Sequence, residues 1–123
     1  MKRILLLITV IALVSCSYIP SKWDVNEAKT ITDIQITTRY FDCSNASKQI
    51  AKLQRQITWF EVYSQFKGSR DVSAIFVDIS KTVNDFKART DKGPISPMYC
   101  ELKKKILIQQ SDITAKAIQG RFL

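Results

Sequence analysis

The side chains that could carry chemistry in this 123-residue chain are its three cysteines, because the sequence contains no histidine. Without histidine the commonest general base is missing, and neither a Ser–His nor a Cys–His nucleophile pair can form. Cys43 and Cys100 form no C-x-x-C motif and, without histidine, make a poor metal site. The sequence also lacks a phosphate-binding loop and a dinucleotide fingerprint. We therefore predict that the protein is not an enzyme and has no metal or cofactor.

A short apolar run precedes the first cysteine. The first three residues include two basic side chains, and residues 4–14 are apolar apart from one threonine. This run of 11 residues fits the apolar part of a signal peptide (~7–15 residues) and is shorter than the ~20 residues that span a bilayer. It ends in Leu13-Val14-Ser15-Cys16, which resembles a bacterial lipobox, the motif that closes a lipoprotein signal peptide.

The resemblance to bacterial lipoproteins implies a fatty-acylated thiol at Cys16 and removal of residues 1–15. Residues 16–21 then form a lipidated tether that reaches under ~20 Å when fully extended, and residues 22–123 form the folded domain. Ser17 stands where an aspartate tends to mean retention in the inner membrane of Gram-negative cells. The resemblance therefore implies an outer-membrane protein that faces the periplasm. Residues 17–123 resemble no family that we recognise.

Charge and length limit the class of protein further. Removal of residues 1–15 leaves 108 residues, enough for one domain, and lowers the formal charge from +8 to +6. In the cytoplasm this charge would suggest nucleic-acid binding. In the periplasm the available anions are lipid head groups, the cell wall and acidic proteins, so we predict no nucleic-acid partner.

Acylation of Cys16 leaves Cys43 and Cys100 as an even pair in an oxidising compartment, where disulfides form and persist. The loop that they would close has 58 residues. The chain-entropy estimate gives about 4 kcal/mol of stabilisation for a loop of that size. We predict one disulfide, Cys43–Cys100.

The segment from Trp23 to Phe41 has two interpretations. Its apolar residues recur at helical spacing, but residues 34–40 also alternate and are rich in β-branched side chains, as a strand would be. No second strand-like segment is available for pairing, so we predict a helix. The residues at helical spacing are Ile31, Ile34, Thr38 and Phe41.

Three further helices are predicted from apolar periodicity between turn signals. Their limits are Ser44 or Asn45 to Lys67-Gly68, Asp71 to Asp91-Lys92-Gly93-Pro94, and Ser96-Pro97 to Gln119-Gly120. Their predicted buried stripes are Ile50, Leu53, Ile57, Phe60 and Ser64 in the second helix; Val72, Ile75, Phe76, Ile79, Val83 and Phe86 in the third; and Tyr99, Leu102, Ile106, Ile113 and Ala117 in the fourth.

Short connections make consecutive helices antiparallel neighbours. Cys43 before the second helix and Cys100 in the first turn of the fourth then lie at the same end. We predict an all-α protein, a small three- to four-helix antiparallel bundle with one disulfide.

The same topology places the start of the first helix, the 67–71 turn and the C-terminus together at the end nearer the membrane. The basic residues of this end could contact anionic head groups, at up to ~1 kcal/mol each, or could be scattered surface charge. They are Lys22, Lys67, Arg70, Lys116 and Arg121.

Two groups of residues could contact a protein partner. Trp59 and Tyr63 belong to an aromatic cluster that nearly encircles the second helix, so either the first helix covers it or part of it remains exposed. The run Lys103-Lys104-Lys105 is either a solvated face or a contact for an acidic partner.

Taken together, the sequence predicts a membrane-anchored periplasmic lipoprotein that acts as a protein-interaction or envelope-assembly module. The alternative is a phage- or plasmid-encoded lipoprotein of exclusion, immunity or lysis. The expected partners are the membrane, through the N-terminal lipid, and an envelope protein.

Overall fold

The computed structural model describes residues 21–121, so the predicted signal peptide, Cys16 and most of the tether lie outside the described residues. Four α-helices follow one another, and a 3-10 turn joins the first two. The helices are α1 (Val25–Arg39), α2 (Ala46–Lys67), α3 (Arg70–Asp91) and α4 (Pro97–Gln119), and the turn is Cys43–Asn45. Residues 21–121 contain no strand, so the prediction of a helix for the ambiguous first segment is confirmed.

The helices form an antiparallel bundle. Each helix packs against its neighbour in sequence, and α1 also packs against α4, which closes the ring. The all-α bundle predicted from short connections is therefore confirmed, with four helices. None of the helices between residues 21 and 121 combines the length and the apolar character that crossing a bilayer requires.

The helix limits follow from local backbone chemistry. The Asp24 carboxylate accepts hydrogen bonds from the amides of Asn26 and Glu27, at 2.9 and 3.0 Å, and so caps α1. Gly68 ends α2 with φ of 74°, a left-handed conformation that glycine adopts without a Cβ penalty. The hydroxyl of Ser96 accepts a hydrogen bond from the amide of Tyr99 at 3.2 Å, as predicted for the start of α4.

The start of α2 differs from the prediction in one respect. Asn45 occupies the N-cap position, but its side chain makes no capping hydrogen bond. The preceding turn is capped instead by Asp42, whose carboxylate accepts a hydrogen bond from the Ser44 amide at 2.9 Å. The turn therefore leads directly into α2.

The core runs along the axis of the bundle. The rings of Phe60 from α2 and Phe76 from α3 stack at its centre, with centroids 4.0 Å apart. The rings of Phe41 and Phe86 stack near the disulfide, at 5.5 Å. The predicted stripe of α2 is buried throughout, and that of α3 is buried except at Ile75, which is partly exposed.

The predicted buried stripe of α4 is wrong. Leu102 and Ile113 are exposed, Ile113 by 67%. The buried face is rotated toward residues that are partly polar, because the hydroxyls of Thr38 and Ser111 form a hydrogen bond at 3.1 Å inside the α1–α4 interface. The Ser111 hydroxyl also donates to the carbonyl of Ile108. Because the hydroxyl is hydrogen-bonded, Ser111 can be buried, although hydrophobic periodicity predicts only apolar residues in the core. The buried residues of α4 are Cys100, Leu107, Ser111, Thr114, Ala115 and Ile118.

Candidate interaction surfaces

The disulfide closes one end of the bundle. Cys43 and Cys100 are bonded, with their Cα atoms 5.9 Å apart, so the predicted pairing is confirmed. Cys100 is buried and packs within the core cluster, whereas Cys43 is partly exposed. We call this end the disulfide end.

The opposite end, which we call the entry end, gathers Ser21, the 67–71 turn and Arg121. The amide of Ser21 donates to the Asp71 carboxylate at 3.2 Å, and the Ser21 hydroxyl donates to the same carboxylate. Arg121 donates to the Ser21 hydroxyl at 3.1 Å. These contacts join the start of the described chain to α3 and to the residue that follows α4. These are the segments that the topology predicted from short loops places at one end of the bundle.

A buried ion pair lies just inside the entry end. Glu27 is fully buried and forms an ion pair with Arg121, whose side chain is 5% exposed. Arg121 also donates to the carbonyl of Ile118 at 3.1 Å, whereas Oε1 of Glu27 has no hydrogen-bond partner among residues 21–121. Arg121 was predicted as part of a membrane-facing basic rim. Its guanidinium points instead into the protein, because the buried carboxylate needs a counter-charge.

A second ion pair at the entry end joins α1 to α2. The amine of Lys67 lies 2.7 Å from the Asp24 carboxylate, and the hydroxyl of Tyr63 donates to the same carboxylate at 3.3 Å. Burial raises the pKa of the Asp24 carboxyl, but hydrogen bonds from Lys67 and from two backbone amides outweigh it, so this pKa lies below the ordinary 3.8. The same hydrogen bond raises the pKa of the Lys67 amine. Lys67 is therefore engaged within the bundle.

We expect the lowered pKa of Asp24 to make stability depend on pH. A carboxyl with a lowered pKa in the folded state stabilises the fold above its unfolded pKa, and this contribution is lost as the pH falls through the lowered value. Wild-type protein should therefore lose more unfolding free energy than Asp24→Asn when the pH falls below about 4. Asparagine retains the capping oxygen and does not titrate. Urea denaturation at several pH values measures the difference, and parallel profiles would contradict the assignment.

Four of the predicted rim residues are at the surface, and Lys67 differs from the other three because it is paired with Asp24. Lys22, Arg70 and Lys116 are exposed, and none of them belongs to an ion pair within residues 21–121. Lys22 and Arg70 flank the entry end itself, and Lys116 lies in the last turn of α4. Of the five predicted rim cations, these three are thus exposed and unpaired among residues 21–121, Lys67 is exposed but paired, and Arg121 is buried.

The aromatic cluster on α2 is only partly covered. Phe60 is buried, and α1 holds Tyr63 because Asn26 donates to its hydroxyl at 2.9 Å. Trp59 stacks on Tyr63, with ring centroids 4.9 Å apart, yet remains 47% exposed. Phe66 is 88% exposed. The expectation that α1 covers the cluster therefore holds for Tyr63 but not for Trp59 or Phe66.

The exposed aromatics belong to a longer feature, which we call the outer stripe of α2. Its six members follow one another at intervals of four and three residues, so they share the helix face opposite the buried stripe. All six are exposed, with cations in the first half and apolar residues in the second. They are Lys48, Lys52, Arg55, Trp59, Val62 and Phe66. Beside Trp59 the stripe borders a groove of about 350 Å³ between α1 and α2.

Sequence reasoning missed the three cations of the outer stripe, although their spacing was readable from the sequence. Hydrophobic periodicity identifies the buried face of α2, whereas these cations lie on the opposite face at the same spacing. Trp59 was identified as a partner contact, and the structure connects it to Arg55 one turn earlier.

The lysine run on α4 does not form one patch. The amine of Lys103 lies over the ring of Tyr99, 5.7 Å from its centroid, and the guanidinium of Arg89 approaches the same ring at 5.9 Å. Lys104 is half-buried on another side, where its charge acts on Asp42, and Lys105 is exposed. The three lysines therefore spread around the helix, as consecutive residues of a helix must.

The fold and these surfaces define a class of protein: a small four-helix bundle, cross-linked at one end, that presents helix faces and no metal-binding cluster among residues 21–121. Comparison with models of protein families, with curated proteins and with solved structures gave no match. The function is therefore inferred from the residues and their geometry.

Proposed function

We propose that the protein is a membrane-anchored envelope lipoprotein whose bundle is a protein-interaction module. The lipobox resemblance at Leu13-Val14-Ser15-Cys16 supports the anchor. The observation that carries the interaction is the outer stripe of α2. Its exposed apolar half has no role in the bundle's own core, and contiguous exposed apolar residues rimmed by polar ones are typical of interaction sites.

The stripe also indicates the kind of partner. Side chains at alternating intervals of four and three residues form the seam along which a second helix packs. From Lys48 to Val62 the rise of the helix is about 21 Å, which is room for a partner helix of several turns. Lys48, Lys52 and Arg55 favour acidic side chains on that helix, because complementary charge steers association and suppresses wrong partners.

The orientation of the bundle leaves this surface accessible. The chain enters the bundle at Ser21, so a tether that reaches under ~20 Å keeps the entry end near the membrane. Lys48, Lys52 and Arg55 lie in the half of α2 nearer the disulfide end. A periplasmic partner therefore meets the cationic half of the stripe first.

Site-specific photo-crosslinking in living cells tests the proposal. We expect a photoreactive residue in place of Trp59 to give a discrete protein adduct. The same residue in place of Ile113 should give none, because Ile113 is more accessible than Trp59 but lies on α4.

Charge reversal provides the matched control. Lys52→Glu combined with Arg55→Glu should abolish the adduct at position 59, whereas Lys105→Glu should not, since Lys105 is exposed on α4 outside the stripe. Adducts with lipid alone, or equal adducts from positions 59 and 113, would contradict a partner on α2.

A further inference from the structure

We propose that the entry end docks on an anionic lipid bilayer, with the Phe66 side chain inserted among the lipids and Lys22, Arg70 and Lys116 against the head groups. This inference rests on the lipid anchor of the proposed function. It deepens that function because it assigns a second, lipid-binding surface to the bundle.

Phe66 is the most exposed large apolar side chain at this end. It lies in the last turn of α2, one residue before Lys67, and 88% of it is accessible. Val25, the first residue of α1, is also exposed at the same end. An aromatic side chain with basic neighbours is typical of residues that sit at the boundary between head groups and acyl chains.

The charges at the entry end are complementary to an anionic surface. Two of its acidic groups are neutralised in ion pairs, Asp24 by Lys67 and Glu27 by Arg121, whereas Asp71 accepts hydrogen bonds from Ser21 and keeps its negative charge. Lys22, Arg70 and Lys116 are exposed and outside these pairs. These three cations outnumber the carboxylate of Asp71, so the unpaired charge of the entry end is positive on balance.

The chain outside the described residues leaves from this same end. Ser21 is fixed by Asp71 and Arg121, and only four residues lie between it and Cys16. With Cys16 acylated, that length keeps the entry end within ~20 Å of the bilayer. A tether this short gives the entry end a high effective concentration at the bilayer, so weak contacts suffice for docking.

Distances along α2 separate the lipid surface from the partner surface. Interfacial side chains reach about 5–10 Å into the head-group region. Arg55 lies about 16 Å above Phe66 by the rise of the helix, beyond the ~8 Å over which charges act at physiological salt. When the bundle stands on its entry end, Phe66 therefore reaches the lipids and the cationic half of the stripe remains free for protein.

The experiment uses the protein as purified from cells that express the full chain, with its acylation checked by mass spectrometry, mixed with vesicles of phosphatidylcholine, with or without phosphatidylglycerol. Trp23 and Trp59 are replaced by phenylalanine, and a single tryptophan is placed by Phe66→Trp. The control has Met98→Trp instead, an exposed position near the disulfide end. Lipids brominated on their acyl chains quench only an inserted tryptophan. Circular dichroism verifies that each variant is folded.

We expect quenching at position 66 in anionic vesicles and none at position 98. Lys22→Glu with Arg70→Glu should abolish it, since each cation near an anionic surface contributes about a fivefold change in affinity. Three results would overturn the docking inference, provided that the protein is found in the vesicle fraction. They are no quenching at position 66, equal quenching at positions 66 and 98, and equal quenching in neutral and anionic vesicles. Protein that is not acylated and stays outside that fraction would instead overturn the anchor.

Discussion

Arg121→Met is expected to lower the free energy of unfolding by about 3–5 kcal/mol, because it leaves a fully buried carboxylate without its counter-charge. Glu27 has no exposed surface, and Arg121 is the cation that pairs with it. The cost of removing one partner exceeds the net contribution of the pair, since the remaining charge keeps its desolvation penalty. Urea denaturation at neutral pH measures the change.

The matched controls separate the burial of the charge from the loss of the Arg121 side chain. Glu27→Gln together with Arg121→Met should recover much of the lost stability, because the carboxylate is then absent. Lys29→Met breaks the exposed pair between Lys29 and Asp33 and should change stability by no more than about 0.5 kcal/mol. An effect of Arg121→Met as small as that of Lys29→Met would show that Glu27 is not buried as a charge.

Reduction of the disulfide between Cys43 and Cys100 is expected to lower the free energy of unfolding by about 4 kcal/mol, and replacement of both residues by alanine should lower it slightly further. The bond closes a loop of 58 residues and joins the start of α2 to the first turn of α4. Reduction frees the unfolded chain from this constraint, and the loss is a large share of the stability of a domain of this size. Urea denaturation with and without dithiothreitol gives the value.

The alanine pair and the reduced wild type make a matched comparison. Reduction removes the cross-link but keeps the sulfur of Cys100 in the core, whereas alanine also removes this buried atom. We therefore expect the alanine variant to be slightly less stable than the reduced protein, by about 1 kcal/mol or less. Equal stability of the oxidised and reduced wild type would contradict a stabilising bond.

Local sequence signals predicted the helices well, because each limit depends on a few neighbouring residues. Gly68 acts through glycine's access to positive φ, and Ser96-Pro97 act through a capping oxygen and proline's fixed φ. Short loops then required antiparallel neighbours, and this placed Cys43 beside Cys100. None of these steps requires information about a distant residue.

The face of α4 could not be predicted in the same way. Ile113 and Leu102 are apolar yet exposed, and Ser111 is polar yet buried, because Thr38 on α1 supplies a hydrogen bond to it. Hydrophobic periodicity counts apolar side chains and does not include partners that lie far away in the sequence. The face of α4 that is buried is the one whose hydroxyl groups form hydrogen bonds in the α1–α4 interface.

The sequence by itself determined the helical architecture, the disulfide, and the end at which the chain enters the bundle. Only the tertiary structure decided which of the basic side chains are paired and which are left unpaired at the surface. Arg121 and Lys67 looked equivalent to Lys22 and Arg70 in sequence, but Glu27 and Asp24 pair with the first two. The reason is physical: a charge is neutralised by whatever lies within a few ångströms, and the fold brings Glu27 to Arg121 across 94 positions of the chain.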